Sequence, residues 1–328
     1  MTDSFSPPMR CGLVLAGGDG MRLRPLVTQL TGDSLPKQYV SLVGTRSMLE
    51  HTFDRAERLI PAERLLTVAN QNHLGYREAQ RQLAQRPTGT VLLQPKNKET
   101  GPGILFGLMH VAKKYPGSNV AVFPSDHFVL QENLFMAYVA LAFHVVESNP
   151  SAILVLGIVP DGPEGEYGYI LPDGDARDLL APLRVHDVKL FIEKPGPEAA
   201  QEMVLGGGLW NTMVMVFNTT TLLDLVRRLT PELYDPFQKI EKAIGTCKEK
   251  SVVEEIYRQI KPKNFSVTVL EALSLLRPPC ISVLPVSGVF WSDWGSEYRI
   301  VSTLRKTGYL QRFQAAVETR LCAMGSSL

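Results

Sequence analysis

The sequence predicts an α/β fold built on a mainly parallel sheet. Short β-type runs alternate with longer segments of helical spacing through the first half of the chain, as repeated βα units require. The first of these runs breaks sharply into glycines, which is typical of a strand that ends at a ligand site. The chain has 328 residues, of which 45% are apolar, and can therefore bury a large core.

The predicted elements follow in order along the chain. Apolar β-type runs occupy residues 11–16, 65–69, 90–93, 120–123 and 153–158. Helical spacing occurs at 47–59, 74–85, 103–114 and 132–148. A hairpin is expected within 161–184 and a further strand at 188–192. Helical patterns dominate from 220 to 277, with breaks expected at Pro231, Pro236 and Pro262. Because ligands bind at the carboxyl edges of such sheets, functional residues should follow strands.

Charge and cysteine content exclude several functions. Lys and Arg total 34 and Asp and Glu total 33, so the net charge of +1 gives no general attraction to nucleic acid or to a membrane surface. The four cysteines lie far apart without C-x-x-C spacing and are expected to be reduced structural thiols. No secretory signal or membrane-spanning run is visible, so a cytoplasmic location is expected.

The first strand leads directly into a glycine loop. The apolar run from Leu13 to Leu15 ends in Gly17, Gly18 and Gly20. Glycines let successive backbone N–H groups point into one concavity, and their missing side chains let a phosphate come close. Fixed cations for a polyphosphate follow at three positions: Arg22, Arg24 and Lys37.

Two better-known phosphate-binding loops do not fit this stretch. The dinucleotide fingerprint requires a third glycine or alanine where Leu23 stands, and no Gly-Lys-Ser/Thr follows as in a P-loop. From the glycines alone, an ordinary strand-to-helix turn is an equally good interpretation. The longer pattern A-G-G-x-G-x-R-L-x-P-L followed by P-K resembles the signature of sugar-1-phosphate nucleotidyltransferases. This resemblance implies that Leu15, Ala16 and the glycines bind a nucleotide and that Arg22 and Lys37 act in catalysis.

A polar loop, Q-P-K-N-K-E-T-G-P-G at residues 94–103, follows the third predicted strand. Its amides and hydroxyl suit the reading of a nucleobase edge, whereas a loop before a helix capped near Thr100 is the alternative. The loop resembles Q-P-x-N-R-x-T-A-P-A of mannose-1-phosphate guanylyltransferases, which implies nucleotide contacts from Gln94, Asn97 and Thr100. This chain departs from that pattern at three positions in the region that would select the base: Lys98, Gly101 and Gly103.

Two aspartates are candidate magnesium ligands. Asp126 ends the predicted strand at 120–123 within P-S-D-H, and Asp293 lies in W-S-D-W-G-S. Either aspartate alone is more often a helix cap or a turn residue. Both motifs resemble family motifs, which implies that the two carboxylates hold Mg²⁺, the expected cofactor, and that Pro124 borders the nucleotide. His127 is expected to be positioning or structural, because transfer to an ionised phosphate needs no strong base.

Three further motifs point to a sugar phosphate. Gly168 lies in Y-G-Y-I, Glu193 and Lys194 lie in F-I-E-K-P, and Asn211 lies in W-N-T-M. Glu193 and Asn211 can hydrogen-bond sugar hydroxyls, and Lys194 supplies a point charge for a phosphate. By resemblance, Gly168 would allow close approach of a hexose ring. The family pattern has glycine where Met213 stands, which would reshape the sugar pocket.

Taken together, these motifs identify the chain as a member of the sugar-1-phosphate nucleotidyltransferase family, of the mannose-1-phosphate guanylyltransferase type. The resemblance implies a Rossmann-like, GT-A-like mixed sheet with helices on both faces. It implies a catalytic domain over residues 10–305 and a C-terminal helix and tail over 306–328, with no cupin or β-helix domain expected in this chain.

The expected reaction is Mg²⁺-dependent transfer of GMP from GTP to α-D-mannose 1-phosphate, giving GDP-mannose and pyrophosphate. Small-molecule substrates are the expected partners, with no nucleic acid and no membrane. The sequence leaves the oligomeric state open, a homodimer included. Two alternatives remain: the same chemistry with another sugar 1-phosphate, such as glucose 1-phosphate, or another nucleoside triphosphate; and a non-catalytic regulatory homologue that senses sugar nucleotides.

Overall fold

The computed structural model describes residues 9–174, 184–311 and 313. The strands in these ranges are β1 (Arg10–Ala16), β2 (Leu65–Asn70), β3 (Val91–Gln94), β4 (Asn119–Pro124), β5 (Phe128–Val129), β6 (Ile153–Ile158), β7 (Gly168–Pro172), β8 (His186–Glu193), β9 (Leu209–Asn218), β10 (Ile281–Val286) and β11 (Trp291–Ser292). The α-helices are α1 (Arg24–Thr31), α2 (Met48–Ala56), α3 (Arg77–Ala84), α4 (Thr100–Lys114), α5 (Glu132–Ser148), α6 (Pro197–Leu205), α7 (Thr219–Leu229), α8 (Pro231–Ala243), α9 (Glu249–Gln259), α10 (Glu271–Ser274) and α11 (Glu297–Thr307). A π-helical turn at Ser266–Leu270 precedes α10.

The large sheet has the strand order β3-β2-β1-β4-β9-β6-β10-β8-β7. Parallel ladders join β1 to β2 and β4, β2 to β3, and β6 to β10. β9 runs antiparallel between β4 and β6, and β7 and β8 form an antiparallel hairpin. The predicted mixed, Rossmann-like sheet is confirmed, and its antiparallel part is larger than expected because β9 inserts into the middle of the sheet. A small second sheet pairs β5 with β11.

Helices cover both faces of the large sheet, as predicted. Successive strand residues point to opposite faces, so Leu13 and Val122 contribute to the core beneath α4, α7, α8 and α9. Their neighbours Val14 and Phe123 contribute to the core beneath α1, α2 and α5. Since β1 and β4 are buried on both faces, their sequences read as continuous apolar runs.

The predicted elements of the first half are all present, with ends displaced by at most about one helical turn. The helix expected from residue 74 begins at Arg77, because a 3-10 turn occupies Gln71–Gly75. The break expected at Pro236 is wrong, since Pro236 lies inside α8, whose buried side chains Phe237 and Ile240 hold the helix in place.

The later chain departs from prediction in its boundaries. The hairpin expected within 161–184 is not seen there: β7 pairs antiparallel with β8, which contains the further strand expected at 188–192, and residues 175–183 lie outside the described part of the chain. The helix α11 begins at Glu297 and crosses the predicted boundary between 305 and 306. Of the predicted tail, residues 312 and 314–328 lie outside the described part. Over the residues that are described, no helix is long and apolar enough to span a membrane.

Gly107 sets how closely α4 approaches the sheet. A Cβ atom at this position would overlap the side chain of Leu13, a fully buried residue of β1. Since α4 starts at Thr100, this contact also fixes where the polar loop before the helix sits against the sheet.

We expect Gly107→Ala to lower the free energy of unfolding by about 1–3 kcal/mol through overpacking, even though alanine favours a helix interior. Chemical denaturation measures this loss. Leu13→Val shortens the opposing side chain, so the double variant should lose less stability than the sum of the single variants. Full stability of Gly107→Ala would contradict the packing described here.

His110 links α4 to α9. Its ring meets that of Phe106 edge-on at 5.0 Å between centroids, and its Nε2 lies 3.7 Å from Glu249 Oε1. Burial lowers the pKa of His110, against the opposite effect of the Glu249 charge. The imidazole is therefore neutral in the folded chain at pH values where an exposed histidine is already protonated.

The free energy of unfolding should fall as the pH drops below 6.5, the ordinary value for this side chain. The sign follows because the unfolded chain then binds a proton at His110 that the folded chain does not. His110→Gln should weaken this decline, measured by denaturation at pH 7.5 and pH 5.5. An equally steep decline in the variant would rule out His110 as a contributor.

Candidate active site

A cavity of about 450 Å³ opens at the carboxyl edge of β1, β3 and β4. It lies where the sequence places ligand binding in such sheets. Most of the residues predicted to contact the nucleotide line this cavity: Leu15, Gly17, Gly18, Gln94, Asn97, Thr100 and Pro124. Asp126 and Lys194 line it as well, whereas the predicted Ala16 and Gly20 do not.

The glycine loop is held by Asn97 and by two residues that the sequence did not single out, Asp19 and Asn70. Asp19, inside the loop, accepts hydrogen bonds from Asn97 Nδ2 at 3.0 Å and from Asn70 Nδ2 at 3.3 Å. Asn70 Nδ2 also donates to the Gly17 carbonyl at 2.7 Å. Asn70 could have been predicted as a site residue because it is a polar residue at the end of β2. Asp19 stands at a position where the A-G-G-x-G-x-R pattern specifies no residue type. The amide of Asn97 thus braces the loop in this structure.

Gly20 brings the glycine loop against the Lys37 segment. Its φ of 60° lies in the left-handed region, and a Cβ there would lie 3.0 Å from the Lys37 backbone nitrogen. This close approach places Lys37 beneath the loop, so the sequence pattern G-x-R…P-K corresponds to a direct contact.

The polar loop before α4 is anchored from below. Gln94 is 2% exposed, donates to Asn70 Oδ1 at 2.6 Å and accepts from the Tyr257 hydroxyl at 3.0 Å. Its amide therefore forms a fixed part of the cavity floor. Thr100 Oγ1 accepts the Phe265 N–H at 2.8 Å, which ties the loop to the segment before the π-helical turn.

Lys98 points away from the cavity. Its Nζ donates to the Ile260 carbonyl at 2.7 Å, at the C-terminal end of α9. We expected the Lys98 departure from the family pattern to fall where a base is selected; the side chain instead stabilises the contact between the loop and α9.

Lys37 connects the carboxylate of Asp126 to the main chain at Asp293 and Trp294. Its ammonium lies 3.0 Å from Asp126 Oδ2 and donates to the carbonyls of Asp293 at 2.9 Å and Trp294 at 3.1 Å. Lys37 is 8% exposed, so this charge is held almost entirely by protein groups. Burial acts to raise the pKa of Asp126, but the charge of Lys37 and its hydrogen bond to the carboxylate leave this pKa below the ordinary value.

His127 is neutral and borders Asp126. Trp291 Nε1, which can only donate, lies 3.3 Å from His127 Nδ1, so Nδ1 accepts and Nε2 carries the proton. Nε2 lies 3.9 Å from Asp126 Oδ1. Burial lowers the pKa of His127 to about 4, against the raising effect of the Asp126 and Asp293 charges. The geometry fits the predicted positioning role.

Asp293 does not line the cavity, and its carboxylate is held by residues that follow it in the chain. Its Oδ1 accepts the Gly295 N–H at 2.9 Å and lies 3.3 Å from Arg299 Nε. Arg299 is 7% exposed, and its guanidinium carbon lies 4.7 Å from the centre of the Tyr167 ring. Sequence analysis did not single out Arg299, because this residue belongs to no recognised motif. Only the fold shows that it pairs with Asp293.

The three predicted sugar-facing residues are brought together. Glu193 Oε2 lies 2.6 Å and Asn211 Cβ 3.4 Å from the point that a Gly168 Cβ would occupy. A side chain at position 168 would overlap the Glu193 carboxylate, so glycine is needed there even without a ligand. Burial raises the pKa of Glu193, while Lys194 and Ser266 act to lower it. Lys194, at a φ of 50°, turns from this cluster into the cavity wall.

Arg22 is the predicted catalytic residue that stands apart. Its Nη1 lies 2.5 Å from Glu166 Oε2, and both side chains are more than half exposed. Arg22 does not line the cavity in this structure.

Comparison with known proteins shows the family. Residues 11–305 match the nucleotidyl transferase family. A mannose-1-phosphate guanylyltransferase 2 of Escherichia coli O157:H7 is 27% identical over 311 residues, which cover 90% of this chain and 60% of the relative. The xanthan biosynthesis protein XanB of Xanthomonas campestris pv. campestris is 33% identical over 229 residues, which cover 69% of this chain and 46% of the relative. The chain thus spans only part of the length of both proteins.

Solved structures include one with the same fold. A protein described as a mannose-1-phosphate geranyltransferase from Thermus thermophilus matches with a TM-score of 0.71 and 25% identity, covering 87% of this chain and 76% of that one. The family match extends over residues 11–305, from the first strand to the helix that follows Asp293. A match over this range shows that the chain belongs to the nucleotidyl transferase family.

Proposed function

We propose that this chain transfers GMP from GTP to α-D-mannose 1-phosphate, giving GDP-mannose and pyrophosphate. The observation that carries the proposal is the Lys37 ammonium between Asp126 and the Asp293 segment, beside a cavity lined by the glycine loop and the polar loop before α4. The names of the relatives support mannose 1-phosphate as acceptor and a guanine nucleotide as donor.

The carboxylates of Asp126 and Asp293 would hold a Mg²⁺ ion that shares its coordination with substrate phosphates. Over the described ranges, no group of three or more His, Cys, Asp or Glu side chains is placed to hold a metal ion. Mg²⁺ commonly uses one or two carboxylates and takes its other ligands from phosphates and water. When bound there, Mg²⁺ would neutralise charge on the nucleotide and sugar phosphates.

The chain's own groups would position the reactants. Amides of Gly17, Gly18 and Gly20 would bind the triphosphate, and Lys194 would orient the sugar phosphate. An oxygen of the sugar phosphate attacks the α-phosphorus in line; the new P–O bond forms as the bond to the β-phosphate oxygen breaks, and pyrophosphate leaves with the electron pair. The nucleophile is already ionised, which agrees with a neutral His127.

Arg22 would bind the phosphates of the nucleotide after releasing its partner Glu166. In the structure it pairs with the exposed Glu166, and such a pair contributes little stability. A triphosphate in the cavity offers a higher density of negative charge than one carboxylate. Arg22 would therefore leave Glu166 when the nucleotide binds.

We expect Asp126→Asn and Asp293→Asn each to lower the rate of Mg²⁺-dependent pyrophosphate release from GTP and mannose 1-phosphate by at least about 100-fold, by analogy with loss of a single group in a preorganised site. Asp224→Asn, at an exposed position on α7, is the matched control and should keep wild-type turnover. Unchanged turnover in the double Asp126→Asn, Asp293→Asn protein would remove the central claim.

The substrate assignment is checked with the wild-type chain. GTP, UTP, dTTP, ATP and CTP are each paired with mannose 1-phosphate and glucose 1-phosphate, and pyrophosphate release is measured. We expect the highest kcat/KM for GTP with mannose 1-phosphate, because the relatives named mannose-1-phosphate guanylyltransferases pair these two substrates. A higher kcat/KM for another pair would change the assigned substrates but not the proposed mechanism. No pyrophosphate release with any pair would favour a regulatory homologue.

A further inference from the structure

Asp19 is an acidic residue within the glycine loop, where phosphates are expected to bind. It stands between Gly18 and Gly20, its side chain is 28% exposed, and it does not line the cavity. A negative charge near a polyphosphate weakens binding of that ligand. The carboxylate must therefore serve another purpose, and its hydrogen bonds show which groups it holds.

Donors from two parts of the chain surround the Asp19 carboxylate. Asn97 Nδ2 donates to Oδ2 at 3.0 Å. Asn70 Nδ2 and Asn72 Nδ2 donate to Oδ1 at 3.3 and 3.4 Å. A carboxylate can only accept, so each of these three amides must direct its nitrogen, and not its oxygen, toward Asp19.

Asp19 is faced from the protein interior by His73. The His73 ring is fully buried, its Nε2 lies 3.5 Å from Asp19 Oδ1, and its Nδ1 lies 3.1 Å from the Tyr39 hydroxyl. Since the carboxylate only accepts, Nε2 carries the proton and Nδ1 accepts from Tyr39. The position of Asp19 is thus supported by buried side chains beneath the glycine loop.

Two chains of hydrogen bonds run from Asp19 to the polar loop before α4. In the first, Asn97 Oδ1 accepts the N–H of Glu99, whose φ of 67° lies in the left-handed region. In the second, Asn70 Oδ1 accepts from Gln94 Nε2 at 2.6 Å. Both ends of this loop segment therefore depend on one carboxylate.

The amide orientation of Asn97, which lines the cavity, is fixed by this arrangement. A flipped amide would place its oxygen against the Asp19 carboxylate and its nitrogen against the Glu99 N–H. In the orientation observed, the nitrogen has a second hydrogen that can be donated to a ligand. Guanine has an accepting O6 where adenine has a donating N6, so a donating amide suits guanine.

We propose that Asp19 is a positioning residue that sets the nucleobase preference of this chain, an inference that rests on the proposed function. It acts through Asn97 and need not touch the nucleotide. Without the negative charge, the Asn97 amide can take both orientations, and it then favours neither purine.

The test compares two substitutions that differ in severity. Asp19→Asn keeps the size of the side chain but introduces a group that donates as well as accepts, and Asp19→Ala removes the acceptor. Asp224→Asn, at the exposed position on α7, is the matched control. Thermal unfolding establishes that each variant is folded. Calorimetry then measures the dissociation constants of GTP, ATP and inorganic tripolyphosphate in the presence of Mg²⁺.

We expect the preference for GTP over ATP, given by the ratio of their dissociation constants, to fall at least about tenfold in both Asp19 variants, because an amide that faces the wrong edge leaves a group of the base unpaired. Asp224→Asn should keep the wild-type ratio. Tripolyphosphate should bind the Asp19 variants at least as tightly as wild type, because a nearby negative charge has been removed. An unchanged ratio, or a loss of tripolyphosphate affinity that shows a damaged glycine loop, would overturn the proposal.

Hydrogen exchange measures the same coupling without a ligand. Backbone amides of residues 94–103 should exchange at least about threefold faster in Asp19→Ala than in wild type, since the loop has lost a hydrogen-bonded support. The rest of the sheet should keep its wild-type protection. Equal exchange of this loop in the two proteins would contradict the role of Asp19.

Failure of the proposed function gives a different result. If wild type prefers GTP in binding but releases no pyrophosphate, the transferase proposal fails, and a lower preference in Asp19→Asn still supports the inference. If wild type is an active transferase and Asp19→Asn keeps its preference for GTP, the inference fails alone. Equal binding of GTP and ATP by wild type, or binding of neither, also overturns the inference.

Discussion

A buried ammonium group is the constraint on which the site depends. Lys37 Nζ is surrounded by one carboxylate and two backbone carbonyls, and each comes from a part of the chain that the fold must deliver. An uncompensated charge in such a place is strongly destabilising, whereas a paired one can fix a single arrangement. The end of β4, the turn after β11 and the segment under the glycine loop are therefore held in one relative position.

Backbone strain is concentrated around the same cleft. Over the described ranges, the non-glycine residues with positive φ are Glu99, Lys194, Met213 and Trp294. The first three line the cavity, and the carbonyl of the fourth accepts a hydrogen bond from Lys37. Strain of this kind persists only where the surroundings determine the conformation. The sheet, packed between its two hydrophobic cores, fixes these backbone conformations.

The sequence predicted the parts of the fold that depend on local pattern. Buried strands such as β1 and β4 have continuous apolar runs, and the residues after them include Gly17 and Asp126, so both the sheet edge and its chemistry were visible. The sequence did not predict the insertion of β9 between β4 and β6, because strand order is decided by packing between distant segments. Contacts such as Lys98 with Ile260, or Arg299 with Asp293, were hidden for the same reason.

The separation between Lys37 and Asp293 along the chain has a consequence for synthesis. The two residues that share this hydrogen bond are 256 positions apart. Contacts of such long range form late, since most of the chain must already be in place. On a ribosome, the early glycine loop and Lys37 emerge long before Trp294, so the nascent chain carries a lysine without its final partners until the last strands are made. Interrupted translation products would consequently have the nucleotide signature and no assembled site, and their unpaired core surface would be prone to aggregate.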